Sequence, residues 1–326
     1  YGLPLINTFP PTFKDQKRRL EKLAFLGLNY QLGKHAIAGN ILSNNWEQKT
    51  EWLGAFSLTG SILPFIQYTG IWSSDGKEKQ AFYANINIAL TKMGITIEYK
   101  DYQNFVLGSS FNEPPALVKE HSYRVLNRMT HVPIPQSEKG YQLEAFFLFD
   151  DLSILTFNHA LAINQIGGKQ VYREYFIEYQ KELFPGFDTK TFINYAIDPI
   201  QLQTFRLSGG VYGSLILDEG SSLDLEWEYQ RFDNDIQVGF NQYYGITFSS
   251  GNQFSTFLNV EASNDQLLIE QPYKLWIGGG GKFKISSNHT LTFFAGERRG
   301  GPACTAGICY NVLDFKGFEV RWSSTL

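Results

Sequence analysis

Asp224, Glu226 and Glu228 stand at every second position of one short run. Carboxylates so spaced share one face of a strand, where two acids could do general acid/base work and several could hold calcium or draw cations. The simplest account is that they are polar residues lining a hydrated interior. Glu98, Glu144 and Glu174 extend the acidic set into earlier segments, with Glu178 and Glu261 beside them in the middle of the chain. Positive charge gathers later, at Lys274, Lys282, Lys284, Arg298 and Arg321. If these side chains point into one interior, an acidic wall and a basic wall set up a transverse field that orients polar solutes. The alternative is that the charges pair with one another and fill the space.

A second cluster lies between Asn112 and Lys139: Lys119, Glu120, His121, Arg124, Arg128 and His131. Pro114-Pro115 can open a helix, Ala116–Met129 has helical spacing, and Pro133 and Pro135 end it. Leu117, His121, Val125 and Met129 then fall on one face. Glu120, His121 and His131 raise the question of a metal, but their spacing does not match H-E-x-x-H. Packing and hydrogen bonding are the expected roles, and neither a metal nor a cofactor is expected. No Ser/His/Asp arrangement, phosphate loop or zinc pattern stands out. His159 is the one histidine read as lying inside a strand, and no nucleophile motif accompanies it, so no catalytic residue is assigned and no enzyme is expected.

Near the end of the chain, Cys304 and Cys309 are close in one connection. The natural reading is a disulfide closing a small loop, with a metal pair as the alternative. Arg298, Arg299, Gly300 and Gly301 precede it and form a tight turn with two fixed positive charges, suited to lipopolysaccharide phosphates, to a partner or to a purely structural role.

The elements that must position these residues are strands. Leu223, Leu225, Trp227 and Tyr229 alternate with the three carboxylates. Ile95, Ile97 and Tyr99 alternate with Thr96, Glu98 and Lys100. The same period governs Ile236 to Phe248, Phe254 to Glu261 and Phe318 to Ser323. One apolar and one polar face is the pattern of a half-buried antiparallel sheet. Segments of about 9 to 13 residues match the length that crosses a bilayer at a tilt. Read back from the C-terminus, the connections alternate in class. The longer ones are Arg299–Tyr310, Ala262–Gln271, Phe105–Lys139, Ser73–Lys79 and Ser43–Thr50. The shorter ones are Ser286–His289, Ser249–Asn252, Asp218–Ser221, Asp150-Asp151, Lys92-Met93 and Thr59–Ser61. Leu183–Asp188 is longish for its class. Short turns on one side and long loops on the other are the habit of outer-membrane barrels.

The sequence therefore predicts an all-β chain, a single antiparallel transmembrane β-barrel over 1–326. About 16 to 18 strands are expected in this segment, with one long external loop at 105–139 that contains a short helix. About 17 strands fall between Leu23 and Trp322. Since single-chain bacterial barrels have even numbers, a further strand is expected in or before Tyr1–Arg19, or upstream of this chain.

Composition agrees with this. The 27 Phe, 18 Tyr and 6 Trp suit aromatic girdles, and the formal charge of −4 excludes the basic excess of a nucleic-acid binder. No run approaches the roughly 20 apolar residues of a membrane-spanning helix.

Two blocks carry a resemblance: NEPPALVKEHSYRVLNRMTHVPIPQSEKG from Asn112 to Gly140, and GERRGGPACTAGICYNVLDFKGFEVRWSSTL at the C-terminus. Together they resemble an uncharacterised family of outer-membrane β-barrel proteins of Bacteroidota and related phyla. Ala306-Gly307 stands where that family has two glycines, and the chain's last residue is Leu326 rather than an aromatic. The resemblance implies an outer-membrane location and brings no activity with it. Two functions are expected to compete. One is a porin-like channel for small polar solutes, with 105–139 as its constriction. The other is a non-transporting scaffold barrel in a larger outer-membrane assembly, contacting lipid and other outer-membrane proteins or lipoproteins.

Overall fold

The computed structural model describes residues 22–46, 49–105, 117–119, 121–129, 131, 137–165, 168–199, 202–218, 220–234, 236–251, 253–266, 269, 272–305 and 308–324; at 46 and 302–312 it describes the backbone alone. The segment in which a further strand was expected, Tyr1–Arg19, lies outside the described residues.

The chain is all-β, and 17 of its strands form one antiparallel sheet. The first seven are β1 (Lys22–Leu32), β2 (His35–Trp46), β3 (Lys49–Leu63), β4 (Ile66–Ser74), β5 (Gln80–Ala89), β6 (Met93–Gln103) and β7 (Ser137–Leu148), each paired with the next. β8 (Ile154–Asn164) and β9 (Gln170–Phe184) follow. Neighbour pairing is again explicit along β10 (Phe187–Asp198), β11 (Gln203–Asp218), β12 (Ser221–Asn234), β13 (Val238–Ser250), β14 (Phe254–Ser263), β15 (Lys274–Lys284) and β16 (His289–Arg298). β16 also pairs with the last strand. Between them a separate hairpin forms from β17 (Gly301–Thr305) and β18 (Ile308–Val312), and the last strand is β19 (Phe315–Ser324). The only helix among the described residues is α1 (Arg124–Asn127). Closure of this sheet into a barrel is not seen among the described residues.

The chain forms two compact units. One comprises Tyr1–Lys119, His131–Phe147 and Asn158–Arg173; the other comprises Glu120–Thr130, Leu148–Phe157 and Glu174–Leu326.

Burial along the strands is inverted relative to a water-soluble sheet. In β12, Leu225, Trp227 and Tyr229 are exposed while Glu228 and Gln230 are buried. In β13, Val238, Tyr244 and Ile246 are exposed and Asn241 is buried. β14 exposes Leu258 and buries Glu261, and β10 exposes Ile193 and buries Asn194. The period-two rows read from the sequence are therefore real faces, with the apolar face outward. Among the described residues no helix is long and apolar enough to cross a membrane.

Several boundaries differ from the sequence reading. The β3–β4 turn falls at Pro64-Phe65 rather than Thr59–Ser61, because β3 continues through Gly60, which pairs with both His35 and Tyr68. Proline lacks the N–H that a central strand needs, so the turn settles at Pro64. The Leu183–Asp188 connection contracts to Pro185-Gly186, and Ser43–Thr50 contracts to residues 47 and 48. The loop ends sooner than Lys139, since β7 begins at Ser137. His35 and His289 begin strands, so His159 is not the only strand histidine.

Gly140 permits one close approach. A Cβ there would sit 2.1 Å from the Leu161 carbonyl oxygen and 3.0 Å from the Ala162 Cα, both backbone atoms of β8. Backbone cannot yield as a flexible side chain can. Gly140→Val is therefore expected to destabilise the fold by about 1–3 kcal/mol, measured as a lower midpoint of thermal unfolding followed by circular dichroism in detergent. An unchanged midpoint would contradict this packing.

Candidate functional site: a loop docked on the polar face

The connection between β6 and β7 carries the second charge cluster of the sequence. Its described residues leave the surface and dock on the polar face of the strands.

In the first unit, Lys119 Nζ lies 2.5 Å from Glu144 Oε2, and Asn158 Nδ2 donates to the same oxygen at 3.4 Å. Val118 packs with Ala160, Ala162 and Tyr172. The small side chains at 160 and 162 leave the space that Val118 fills. His131 stacks on Tyr172 with ring centroids 4.3 Å apart, and its Nε2 is 3.4 Å from Glu138 Oε2. The other Glu138 oxygen is 2.6 Å from Lys100 Nζ, and both side chains of this pair are 1% exposed. A carboxylate removed from water this fully is tolerated only with such partners.

The second unit repeats the arrangement with different residues. His121 Nε2 is 3.0 Å from Glu174 Oε1, which also accepts from Asn194 Nδ2 at 2.7 Å. The His121 ring lies 4.6 Å from that of Phe176. Tyr123 donates its hydroxyl to Glu178 at 2.7 Å and packs with Leu126, Phe176 and Phe192. Burial, reinforced by the neighbouring Glu178 carboxylate, pushes the Tyr123 phenol far above its ordinary range, so it remains a donor.

Glu228 holds the start of α1. Its two oxygens accept the backbone N–H groups of Arg124 at 2.8 Å and Val125 at 2.7 Å. The first N–H groups of any helix lack internal partners, and here a strand carboxylate supplies them. Arg124 and Arg128 both pair with Glu261, Arg128 through two nitrogens. Arg128 also donates to the Arg299 carbonyl at 3.2 Å, and Arg206 donates to the Met129 carbonyl at 3.0 Å.

The expected helix over Ala116–Met129 is thus corrected to Arg124–Asn127. Tyr123 is extended, at φ −70° and ψ 132°. Each anchor from Lys119 to His131 reaches its own strand partner, which a continuous helix with its fixed four-residue pitch could not arrange. The four residues read as one helical face, Leu117, His121, Val125 and Met129, are nevertheless all buried.

The structure brings Lys119, His121, Arg124, Arg128 and His131 onto Glu144, Glu174, Glu228 and Glu261 or their neighbours; Glu120 lies outside the described residues. Asp224 accepts from Ser214 at 2.6 Å, Glu98 accepts from the Tyr83 hydroxyl, and Glu226 is half-buried. Glu226 lies close enough to Arg124 and Tyr243 of β13 to interact with both. Arg321 pairs with Glu319 at 2.7 Å and is mostly exposed; Lys282 is exposed, and Lys274 lies over the Trp276 ring at 4.8 Å. His159 receives a hydrogen bond from, or gives one to, the Tyr141 hydroxyl at 3.0 Å. The Cα positions of Cys304 and Cys309 are opposite each other in the β17–β18 register; their side chains lie outside the described residues.

Of the roles open to the two positive charges at 298 and 299, Arg299 takes the structural one. It is buried, donates to Asn241 Oδ1 at 2.8 Å and lies over Trp276 at 5.5 Å. Burial, with Arg128 close by, lowers its guanidinium to about 10, which leaves it cationic at neutral pH. Lys100, Glu138 and Arg206 were missed as site residues, although each sits on the polar row of its strand. No protein-family model and no curated protein matches the chain.

Glu261→Gln would leave Arg128 without its anion and remove one of the carboxylates that face Arg124. The expected loss is about 3 kcal/mol of loop attachment, about a hundredfold in the opening equilibrium. It should appear as faster tryptic cleavage after Arg124 and Arg128 in the folded protein. Cleavage at the wild-type rate would show that the ion pairs do not hold the loop.

Proposed function

We propose that this chain is an outer-membrane β-barrel acting as a porin-like channel for small polar solutes, with 117–131 as a constriction fixed to its polar face. The observation that carries the reading is the inversion of burial. Leu225, Trp227, Tyr244, Ile246 and Leu258 are exposed while Glu228, Gln230, Asn241 and Glu261 are buried. An apolar exterior of this extent suits hydrocarbon, and a polar inner row suits an aqueous path. The expected resemblance to the Bacteroidota outer-membrane barrel family accords with it.

On the polar row of β12, exposure changes along the strand. Asp224 and Glu226 are partly accessible, whereas Glu228, Gln230 and Asn234, at the end where α1 docks, are buried. A path along this row would be polar and acidic at one end and closed by the loop at the other. Low conductance is expected for the intact protein in a planar bilayer. Loosening the loop with Glu228→Gln and Glu261→Gln, or deleting 117–131, should raise it several-fold and give cation preference through Asp224 and Glu226. Silence in all three forms would end the channel reading.

A scaffold barrel is the second reading, favoured by the dry packing of Leu117 and Leu126, each 1% exposed. Silent protein that co-purifies with a stoichiometric outer-membrane partner would support it.

We also propose a disulfide between Cys304 and Cys309, on the strength of their opposed positions in the hairpin. Non-reducing mass spectrometry of freshly isolated protein should find the linked peptide; two free thiols would refute the bond.

A further inference from the structure

At the loop-proximal end of β15 and β16 the ladder stops early. The last pair is Gly278 opposite Gly296, where Gly296 adopts a left-handed φ of +118°. Lys274–Ile277 of β15 continue beyond it without a β16 partner, while Glu297 and Arg298 of β16 stay paired with Lys316 and Phe315 of β19. A cavity of about 490 Å³ opens here, lined by Tyr273, Lys274, Trp276, Arg298, Phe315 and the carboxylates Glu297 and Asp314, with Lys316 at its edge.

Two of its buried donor atoms lack an acceptor among the described residues. Trp276 is 3% exposed, and its indole N–H has no acceptor among the described residues. The Arg298 Nε–H is likewise buried without one. No carboxylate pairs with Lys274 among the described residues. The carboxylates, by contrast, are engaged: Glu297 pairs with Lys316, Asp314 accepts the Gly300 N–H at 2.6 Å, and Glu319 lies 3.8 Å from Arg298. A buried donor left unsatisfied is destabilising, so these groups call for an external acceptor.

We propose that this cavity binds a phosphorylated saccharide. An oxyanion satisfies Lys274, the Trp276 N–H and Arg298 through charge-assisted bonds. A bare phosphate would leave most of the volume empty, which falls within the range of sites for larger ligands. Glu297 and Asp314 keep lone pairs that can accept from sugar hydroxyls, and Tyr273 and Phe315 offer flat apolar walls to a ring. One chemistry covers two sources, a free sugar phosphate or the phosphorylated sugar headgroup of a membrane glycolipid. The proposal does not depend on whether the chain conducts.

The test uses the full chain, purified in detergent, and calorimetric titration with glucose 6-phosphate, glucose and inorganic phosphate. A second arm measures binding to phosphatidylcholine vesicles with and without lipopolysaccharide. Glucose 6-phosphate or lipopolysaccharide should bind saturably, at least about tenfold more tightly than glucose or phosphate alone, a difference of about 1.4 kcal/mol. Lys274→Gln and Trp276→Phe should each weaken that binding about tenfold; Lys274→Gln, at a half-buried position, serves if Trp276→Phe perturbs folding. Binding confined to lipopolysaccharide identifies the glycolipid source, and binding of glucose 6-phosphate identifies the free one. Absence of saturable binding in both arms, or affinity that Lys274→Gln leaves unchanged, overturns the proposal.

Discussion

A carboxylate taken out of water must be met by a cation or by N–H donors, and the strands of this protein bury four that matter: Glu138, Glu174, Glu228 and Glu261. Sheet neighbours meet part of that demand, as Lys100 does for Glu138 and Asn194 for Glu174. The remainder is met by a single connecting segment, whose His121, Arg124, Arg128 and His131 arrive in the order in which their partners require them. Neither side is stable alone, because an unpaired charge in such surroundings is costly. Loop and strands therefore specify each other, and the position of α1 follows from where Glu228 presents its two oxygens.

The same demand explains the chemistry of the polar rows. Where the loop docks, polar side chains are dry and mostly paired, although His121 Nδ1, Asn194 Oδ1 and Arg206 Nε have no hydrogen-bond partner among the described residues. Away from the docked loop, Asp224 and Ser214 stay partly wetted and bond one another. Acidic residues that look equivalent in the sequence thus divide into structural anchors and accessible charges. The divider is the reach of the loop and not the identity of the residue.

Much of the sheet was legible from alternation. Runs such as Leu223–Tyr229 and Phe254–Glu261 carry a period of two so regular that the faces could be read directly, although β12 extends on to Asn234. Boundaries were less legible where a strand continues through residues that usually end one, as β3 does through Gly60 to Leu63. The helical reading of 116–129 failed for a definable reason: its apolar spacing reflects burial against many strands at once, and burial alone does not distinguish a helix from an extended chain pinned at intervals. The long-range ion pairs could not be read at all. Arg128 and Glu261 are far apart in sequence, and nothing local marks Arg299 as buried rather than exposed. Which acid meets which base is decided by strand register, and that emerges only once the strands are paired.

The docked segment also has kinetic meaning. It is bound through successive contacts, Lys119 to Glu144, His121 to Glu174, the α1 N–H groups to Glu228, Arg128 to Glu261 and His131 to Glu138. Each is weak enough to break alone on a short timescale, but a neighbouring contact holds the freed stretch at high effective concentration and returns it to its place. Departure of the whole segment then requires several ruptures within one recapture time. Such an attachment behaves as a zipper: slow to open fully, and steep in its response to any condition that weakens all its teeth together.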